Sequence, residues 1–577
     1  MLNALEAFDS YTFLIYMSEN SNLNKIKYYK RKLSFIRDQI FESIKLGKLD
    51  YNSRFFDKNI LSKFEEINNF GGILKFKERL LYWFISKVFN YSLSIDFDRL
   101  DYKLFCIRDL YFLSQDERFY INFYRLLAEY GVVIDYRIFR QKIGEYIDFF
   151  IKSYYGIGFF HEVYLVYELI KSELEEKGVE FFESGSIARF DKFIENICFI
   201  FPFNIDDPLK WTFETLKKLE LYILKYEIEW FGDYSIFTFW ISFCKVPIVF
   251  VFSKDHVIFN LYYLFSGRYL SFSEFKDEKG IIFSLIEEDV KKLLSKFRNY
   301  FSNLDDFYCY LGINPIPVEL IDYPGIFKIA KDNDFKDLIS IEDIKGDLHI
   351  HTTFSDGKNS VNEIISFAKL KGYEYIGISD HVDYLVDKID EYGNLEFCDL
   401  VVFWGVEENI GPNGDLFSDS NEKSKNLIEK IDYINLSIHS DFNLSEQMNY
   451  RRVLNSLGKS KGLVFCHPTA RVLGVRNPIL ISQEKMFEIF DYVNNNGKYV
   501  EINCHLDRLD LDYSLIISYR FLRNRELNVV INTDAHSLNQ MNYINYGVKW
   551  ARKAWCKKDN VLNSKKAEEV KKIIHNL

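Results

Sequence analysis

The segment GDLHIHTTFSDG, residues 346–357, combines a short apolar run, two histidines one residue apart and an acidic turn. Successive side chains of a β-strand point to opposite faces, so a strand here would place His349 and His351 on the same face. Asp356 follows in the next turn. A pair of histidines at this spacing also occurs by chance, so the interpretation depends on the rest of the chain.

Short apolar runs recur after this segment and alternate with stretches of helical periodicity. The runs are YEYIGIS, LVVFWGV, DYINLSI, GLVFC, KYVEINC and NVVINT, and the helical stretches include SVNEIISFAKLKG and QEKMFEIFDYVNNNG. Alternation of strand and helix indicates a parallel sheet. This number of units predicts that residues 336–577 form a closed or nearly closed β/α barrel.

Almost every one of these runs ends in a side chain that can bind a metal ion. The set is His349, His351, Asp356, His381, Glu407, His439, His467, Asp534 and His536. The C-terminal ends of the strands of a β/α barrel form one rim, so these groups are expected to meet in one cleft. Six imidazoles and three carboxylates exceed the needs of a single ion, which predicts two or three ions that share a bridging carboxylate.

The ligand types also limit the metal and the chemistry. Nitrogen-rich ligation without thiolate favours Zn²⁺, Mn²⁺ or Fe²⁺ over Mg²⁺ or Ca²⁺. Clustered divalent ions favour hydrolysis of phosphoesters, because they generate hydroxide near neutral pH and neutralise phosphoryl charge. A single histidine at a strand end is usually structural, but eight of the ten histidines follow residue 345 and six of them end predicted strands. His161, His256 and His575 are interpreted as structural, and His505 does not fit the ligand pattern.

The motifs GDLHIHTTFSDG, GISDH, GVEENI, SIHS, HPTAR, EINCHLDRLDL and NTDAHS, in this order, resemble the PHP (polymerase and histidinol phosphatase) domain of bacterial family X DNA polymerases. The flanking stretches YLGINPIPVELIDYPGIFKIA and YGVKWARKAWCKKDNVLN extend the resemblance over residues 305–565. It implies a distorted TIM-like barrel with a trinuclear site. The ion groups it implies are His349, His351, Glu407 and Asp534; Glu407, His439 and His467; and Asp356, His381 and His536.

The resemblance further implies manganese-stimulated hydrolysis at DNA 3′ ends, as a 3′–5′ exonuclease or 3′-phosphatase. The catalytic residues it implies are His349, His351, Glu407, Asp534 and Asp380. Asp380 would orient a ligand. Arg471 and Arg508 are the basic groups nearest the motifs and are assigned to phosphate binding, with surface ion pairing as the alternative.

Residues 151–335 mix helical stretches with apolar runs and predict an α+β domain. The segment VEFFESGSIARFDKFIENICFIF, residues 179–201, resembles the polymerase palm, with Gly185, Ser186 and Arg189 kept. The positions of the palm carboxylates are occupied by Asn196, Cys198 and Pro247. Nucleotidyl transfer by two Mg²⁺ ions needs those carboxylates, so we predict a degenerate palm that does not polymerise.

Residues 1–150 have apolar residues at three- and four-residue spacing and predict a helical domain. The helix-hairpin-helix units of the family bind DNA through Gly-x-Gly amides, and the segments NNFGGILKF, LAEYGVVI and YGIGFF are weak counterparts better interpreted as turns. NKIKYYKRKLSF favours a solvated helix face over a phosphate contact. We therefore predict a degenerate, DNA-binding-like helical region.

Composition excludes several classes of protein. The net charge of −11 excludes a global attraction to nucleic acid or anionic membranes, so any DNA surface must be local. Eight cysteines without a Cys-x-x-Cys pair, and an N-terminus without a signal-peptide pattern, predict reduced thiols in a cytoplasmic protein. The apolar stretch 235–252 contains Lys245 and Pro247 and favours two buried strands over a membrane span.

The sequence therefore predicts a multidomain, metal-dependent phosphoesterase that acts on gapped or single-stranded DNA 3′ ends in repair. Three alternatives stay open at this point: a histidinol-phosphatase-like enzyme for small phosphomonoesters, an active family X DNA polymerase, and a non-catalytic binding module stabilised by metal. The native metal and the oligomeric state are left open.

Overall fold

The computed structural model describes residues 2–18, 23–46, 56–70, 72–89, 95–100, 102, 104, 106–113, 116–154, 156–202, 205–242, 244–265, 290–297, 300–323, 325–388, 391–392, 400–420, 422–459 and 461–576. The chain divides into two compact units, Met1–Gly325 and Ile326–Leu577. Each unit has its own secondary structure and is described separately.

The first unit begins with helices, as the apolar spacing predicts. Helices α1 to α7 span Leu2–Met17, Leu23–Leu46, Lys58–Phe70, Lys75–Val88, Ile107–Leu113, Glu117–Glu129 and Tyr136–Tyr154. Helices α1, α4, α5, α6 and α7 contribute to one core, in which Phe84, Leu110, Phe123 and Phe139 are fully buried. Gly131 follows α6 with a φ of +83° and forms the turn predicted for LAEYGVVI. Gly71 of NNFGGILKF lies outside the described residues.

The rest of the first unit is a mixed α/β region. Helices α8 to α13 span Phe160–Glu176, Gly185–Ala188, Pro208–Lys218, His256–Phe265, Val290–Phe297 and Leu304–Leu311. Strands β1 to β7 span Gly158–Phe159, Phe182–Ser184, Phe193–Ile194, Ile197–Pro202, Ile223–Phe231, Tyr234–Ile241 and Ile248–Ser253. Five strands form a sheet in the order β2-β4-β7-β6-β5, in which β4 and β7 run parallel and the other neighbours antiparallel. The predicted α+β class is therefore confirmed.

The apolar stretch 235–252 lies in this sheet. It forms most of β6 and β7, and every residue of β7 is buried. The prediction of two buried strands is confirmed. Among the described helices, none combines the length and the apolar character that crossing a bilayer requires.

The second unit is a parallel barrel. Helices α14 to α23 span Ile326–Asp332, Val361–Leu370, Val382–Leu385, Phe417–Ser420, Glu422–Lys430, Glu446–Leu457, Gln483–Asn495, Tyr513–Arg523, Ile544–Lys553 and Ala567–His575. Strands β8 to β14 span Gly346–Ile350, Tyr375–His381, Val401–Asn409, Tyr433–Ser437, Gly462–Phe465, Tyr499–Asn503 and Val529–Asn532. Each strand pairs in parallel with the next one along the chain, from β8 to β14.

The two outer strands of this sheet approach each other and nearly close it. The backbone N–H of His351 donates to the carbonyl of Ala535 at 2.9 Å, and the N–H of Leu348 donates to the side chain of Asn532 at 3.0 Å. The prediction of a nearly closed β/α barrel is confirmed, and all the C-terminal strand ends consequently meet at one rim.

Tyr433 fills the barrel interior beneath that rim. Its buried hydroxyl donates to the carbonyl of Leu348 at 2.8 Å. A Cβ atom at Gly405 would lie 2.6 Å from the Tyr433 ring, so only glycine fits beside it. This packing fixes the position of β8, the strand that carries His349 and directly precedes His351.

Candidate metal centre

The structure brings together all nine side chains that the sequence proposes as ligands. They lie at or just after the C-terminal ends of β8, β9, β10, β11, β12 and β14, except Asp356, which lies in the loop after β8. Each one has a nitrogen or oxygen atom within 3.6 Å of another member of the set. Residues nearly 190 positions apart in sequence therefore share one cleft.

Glu407, at the end of β10, is the carboxylate on which most of these side chains converge. Its Oε1 atom lies 2.9 Å from Nε2 of His467, 3.0 Å from Nε2 of His439 and 3.5 Å from Nε2 of His349. Its Oε2 atom lies 3.1 Å from Nδ1 of His381. With both oxygens surrounded by imidazoles, Glu407 has the geometry of a carboxylate that can bridge two ions.

Three groups within this set have spacings that suit a cation. They are His349, His351, Glu407 and Asp534; His351, Asp356, His381 and His536; and His381, Glu407 and His439. In the second group, Nε2 of His536 lies 3.2 Å from Oδ1 of Asp356. The groups share His351, His381 and Glu407, so several ions could occupy adjacent positions.

The first group shows most directly that a cation fits. The Nε2 atoms of His349 and His351 are buried and have no hydrogen-bond partner. They lie 3.5 and 3.2 Å from Oδ1 of Asp534. Donors bound to one ion at 2.0–2.2 Å are about 3–3.5 Å apart. A divalent ion would therefore satisfy both buried nitrogens, whose isolation is otherwise costly.

Nearby imidazoles keep the carboxyl groups of Glu407 and Asp534 ionised, as metal binding requires. Burial alone would raise the pKa of Glu407, but the imidazoles of His439, His349 and His381 outweigh burial and hold this pKa well below its usual range. Asp534 is buried as well, and His349 and His351 keep its pKa well below the ordinary value. Both side chains are therefore carboxylate anions at neutral pH.

The imidazoles differ from one another. Burial lowers the pKa of His467 to about 4, with a further contribution from Arg508, and burial lowers the pKa of His536 to about 4. These two side chains are neutral at pH 7, as a metal ligand must be. For His349, burial is outweighed by nearby carboxylates, chiefly Glu501, which raise its pKa well above the ordinary value.

Glu501 is a residue of the site that the sequence interpretation missed. Its Oε1 atom lies 2.7 Å from Nδ1 of His349, and its Oε2 atom accepts the backbone N–H of His467 at 2.8 Å. The first contact turns Nε2 of His349 toward the other ligands. The second holds His467, whose φ of +28° lies in the left-handed region. The available signal in the sequence was an acidic residue within the apolar run KYVEINC.

Asp380 orients a loop rather than the imidazole of a ligand. Its carboxylate accepts the N–H and hydroxyl of Thr352, both at 2.8 Å, and the N–H of Ser355 at 3.1 Å. These bonds hold the turn that presents Asp356. Gly357 ends that turn, and a Cβ there would lie 2.3 Å from the carbonyl oxygen of His351. Asp380 therefore acts at the metal centre through the backbone of residues 352–356.

The two arginines assigned to phosphate differ. Arg471 forms an ion pair with Asp512 at 2.6 Å and donates to the carbonyls of Arg508 and Leu509, so its guanidinium is occupied by the protein. Arg508 has its Nε atom 3.6 Å from Oδ2 of Asp534, and its Nη1 atom is buried without a hydrogen-bond partner. This geometry favours the ion-pair alternative for Arg471 and leaves Arg508 as the arginine beside the cluster.

Three further histidines have other surroundings. His256 stacks on Phe182 in the first unit, with ring centroids 5.1 Å apart. The Nδ1 atom of His505 hydrogen-bonds to Asp507. His575 is exposed on the last helix. None of these belongs to a metal-compatible group among the described residues.

The palm-like positions of the first unit also lie close together. Ile197 donates its N–H to the carbonyl of Pro247 at 3.0 Å, so the ends of β4 and β7 carry Asn196 and Pro247 side by side. Asn196 also approaches Gly185, where a Cβ would lie 2.9 Å from the amide oxygen. Cys198 is fully buried, and burial raises the pKa of its thiol far above the usual range. Among the described residues, the metal-compatible groups include no side chain of this unit.

Two palm residues that the sequence keeps are held by internal contacts. The guanidinium of Arg189 pairs with Asp191 at 2.7 Å and donates to the carbonyls of Tyr263 and Leu264. The hydroxyl of Ser186 accepts the N–H of Glu195 at 2.9 Å. These contacts stabilise the fold of the sheet.

Comparison with known proteins agrees with this geometry. Residues 347–505 match the family model of the PHP domain. The chain is 31% identical over 279 residues to the DNA polymerase/3'-5' exonuclease PolX of Bacillus subtilis, a match that covers 46% of this chain and 46% of that protein. It is 28% identical over 212 residues to the probable histidinol-phosphatase of Thermotoga maritima, which covers 33% of this chain and 83% of that protein.

The match spans about half of the PolX relative, so the similarity concerns part of each protein. The PHP match contains seven of the nine converging side chains and Glu501, while Asp534 and His536 lie beyond its end. Residues 347–505 are therefore a PHP domain, carried by a chain that is similar over nearly half of its length to a PolX-type protein.

Proposed function

We propose that this chain is a cytoplasmic, metal-dependent phosphoesterase that hydrolyses phosphoester bonds at DNA 3′ ends, as an exonuclease or 3′-phosphatase. The observation that carries the proposal is the convergence of nine metal-competent side chains, Glu407 among them, at one rim, with two buried imidazole nitrogens that lack a partner. The similarity to PolX supports DNA as the substrate class.

In this proposal the nine side chains hold two or three Mn²⁺, Zn²⁺ or Fe²⁺ ions. When bound, such ions lower the pKa of a coordinated water and neutralise charge on the phosphoryl group. Glu407 is the shared ligand, and Glu501 keeps His349 in the tautomer that presents Nε2. Arg508 donates its unpaired Nη1 to a phosphate oxygen of the substrate.

The proposed substrate enters from the solvent side of the rim. His439 and His381 keep side-chain exposures of 29% and 19%, whereas His349 and His351 are fully buried. The exposed imidazoles therefore mark the open side of the cluster. A DNA terminus fits this arrangement because its phosphate can reach the ions while the remainder of the strand stays in solvent.

The test is hydrolysis of a DNA strand labelled at its 3′ end in the presence of Mn²⁺. The double variant His349→Ala/His351→Ala should lose release of nucleotides or phosphate, whereas His575→Ala, a histidine exposed on the last helix, should keep it. Equal rates for the double variant and the parent chain would contradict the assignment.

A second candidate is hydrolysis of small phosphomonoesters, which the similarity to a probable histidinol-phosphatase favours. Turnover of single-stranded DNA and of histidinol phosphate by the same preparation separates the two candidates. Higher kcat/KM for histidinol phosphate would replace the DNA proposal with this one. We also propose that the first unit no longer polymerises, because Asn196, Cys198 and Pro247 offer no carboxylate to Mg²⁺.

A further inference from the structure

Tyr384 presents an aromatic ring to solvent beside the metal centre. It lies on α16, the four-residue helix that begins directly after His381. Val382 and Leu385 are buried in that helix, so Tyr384 faces outward and is 49% exposed. The ring centroids of Tyr384 and His381 are 6.1 Å apart, with 37° between the two planes.

Tyr392, which lies eight residues after Tyr384, is a tyrosine with a structural role and serves for comparison. Tyr392 is buried, packs its ring against Trp404 at 4.9 Å and donates its hydroxyl to the carbonyl of Gly405 at 2.7 Å. Tyr384 has the opposite character, since half of its surface stays in water next to a proposed ligand. A free aromatic face at that place is available to a substrate.

A nucleotide matches this spacing of cluster and ring. Its base is separated from its phosphate by one sugar, so a phosphate held at the metal cluster leaves the base at the rim. Bases stack on exposed aromatic side chains without regard to sequence, because every base has a π-face. The tilted ring of Tyr384, on the open side next to His381, is placed to receive such a base.

We propose that Tyr384 stacks on the 3′-terminal base of the DNA substrate and so determines specificity for nucleotide ends over small phosphate esters. The inference rests on the proposed hydrolysis of DNA 3′ ends and names the residue that recognises them. Tyr384 contacts the substrate without touching the reacting atoms, so its loss should act on binding.

The first test is the kinetics of the full chain loaded with Mn²⁺. Tyr384→Ala should raise KM for a single-stranded oligonucleotide about 5- to 100-fold, the range expected for loss of one stacked base, and should leave kcat within about twofold. Tyr384→Phe keeps the ring and should behave like the parent chain. Phe521→Ala removes an aromatic side chain that is 65% exposed on α21 and serves as the matched control.

Substrate variants make the test specific. The KM difference between the parent chain and Tyr384→Ala should disappear on a strand whose 3′ end lacks its base. If Tyr384→Ala raised KM equally on this strand and on intact DNA, the proposal would be overturned. An unchanged KM on intact DNA would also overturn it. The imidazole of histidinol phosphate could also stack on the ring. If Tyr384→Ala raised KM for histidinol phosphate and not for DNA, the proposal would be overturned too.

A binding measurement separates this proposal from the proposed function. An oligonucleotide with 2-aminopurine as its 3′-terminal base should lose fluorescence on binding the parent chain and Tyr384→Phe, and keep it with Tyr384→Ala. If the parent chain quenches the probe but hydrolyses no DNA, the proposed function fails while stacking stands. If hydrolysis occurs and the quenching is the same in Tyr384→Ala, stacking fails while the proposed function stands.

Discussion

The barrel of the second unit and the five-stranded sheet of the first unit each gather residues at the ends of parallel strands. In the barrel these residues include five imidazoles that lie 2.9–3.5 Å from the carboxylate of Glu407. In the sheet, Asn196 and Pro247 directly precede the parallel strands β4 and β7 and are neighbours at their N-terminal ends. Pairing of parallel strands therefore brings together a charged cluster in the barrel and a neutral pair in the sheet.

The difference shows that a sheet of this chain can keep its strand pairing without carrying metal ligands at its strand ends. The sheet keeps its strand pairing without metal ligands because its strands are apolar: every residue of β7 is buried. The barrel rim, in contrast, buries charged groups that are costly unless a cation or an ion pair compensates them. Retention of such groups is more readily explained by a site that binds ions than by stability.

The strongest test of this difference is removal of the shared carboxylate charge. Glu407→Gln should lower the rate of hydrolysis of DNA 3′ ends roughly 10³-fold, because the ions lose their common anionic ligand. This factor corresponds to a loss of several kcal/mol in transition-state stabilisation. Steady-state rates with Mn²⁺ measure this effect. Glu408→Gln is the matched control, since Glu408 is also buried on β10 but contacts Ser418 instead of the cluster. Equal losses in both variants would contradict the role of Glu407.

Removing the charge of Glu501 should have a smaller effect. Glu501→Gln weakens the bond that orients His349, and the loss of such a partner typically lowers metal affinity about 10- to 100-fold. Calorimetric titration with Mn²⁺ measures the affinity. Glu488→Gln, on the exposed face of α20, should bind like the parent chain. Unchanged affinity in Glu501→Gln would show that Glu501 only supports the fold.

Metal loading should also release the proton of His349 near pH 7. Nearby carboxylates, chiefly Glu501, raise the pKa of His349 well above its ordinary value, so this imidazole is protonated without metal. Binding an ion through Nε2 requires the neutral form, and the proton leaves. His467 and His536, with pKa values of about 4, are already neutral at that pH and contribute none. A pH-indicator titration measures the release, and no proton release on loading would contradict the protonated state of His349.

The smallest effect is expected in the first unit. Restoring one carboxylate with Asn196→Asp should leave nucleotide incorporation on a gapped template undetectable, because Cys198 and Pro247 still supply no ligand. A PolX-type polymerase provides the positive control for the assay. Nucleotide incorporation by the unaltered chain would contradict the proposal that the first unit does not polymerise.

The barrel and the convergence of its side chains could be predicted because they follow from local patterns. Apolar runs such as DYINLSI and KYVEINC mark strands, and parallel connection places all their C-terminal ends at one rim. His439 and His467 were assigned in this way, although each is an unremarkable histidine by itself. The palm positions came instead from the resemblance to the polymerase palm, in which Asn196, Cys198 and Pro247 stand at the carboxylate positions.

The supporting residues could not be predicted, because their roles depend on side-chain direction. Glu501 lies within a strand, and the sequence does not show that it points under the rim toward His349. Arg471 and Arg508 are equally basic and equally near the motifs, yet the loop after β12 turns Arg471 toward Asp512. Asp380 was expected to orient a ligand, but the sequence does not show that the loop after β8 folds so that its contacts run through Thr352 and Ser355.

The central claim is that nine side chains of the barrel rim, including Glu407 as a shared ligand, hold several ions. Anomalous diffraction at the manganese edge, from crystals of the full chain soaked in Mn²⁺, tests it most directly. The account predicts two or three anomalous peaks. Each should lie beside Glu407 or within the group formed by His351, Asp356, His381 and His536. A single peak elsewhere, or no peak at the rim at saturating Mn²⁺, would contradict it.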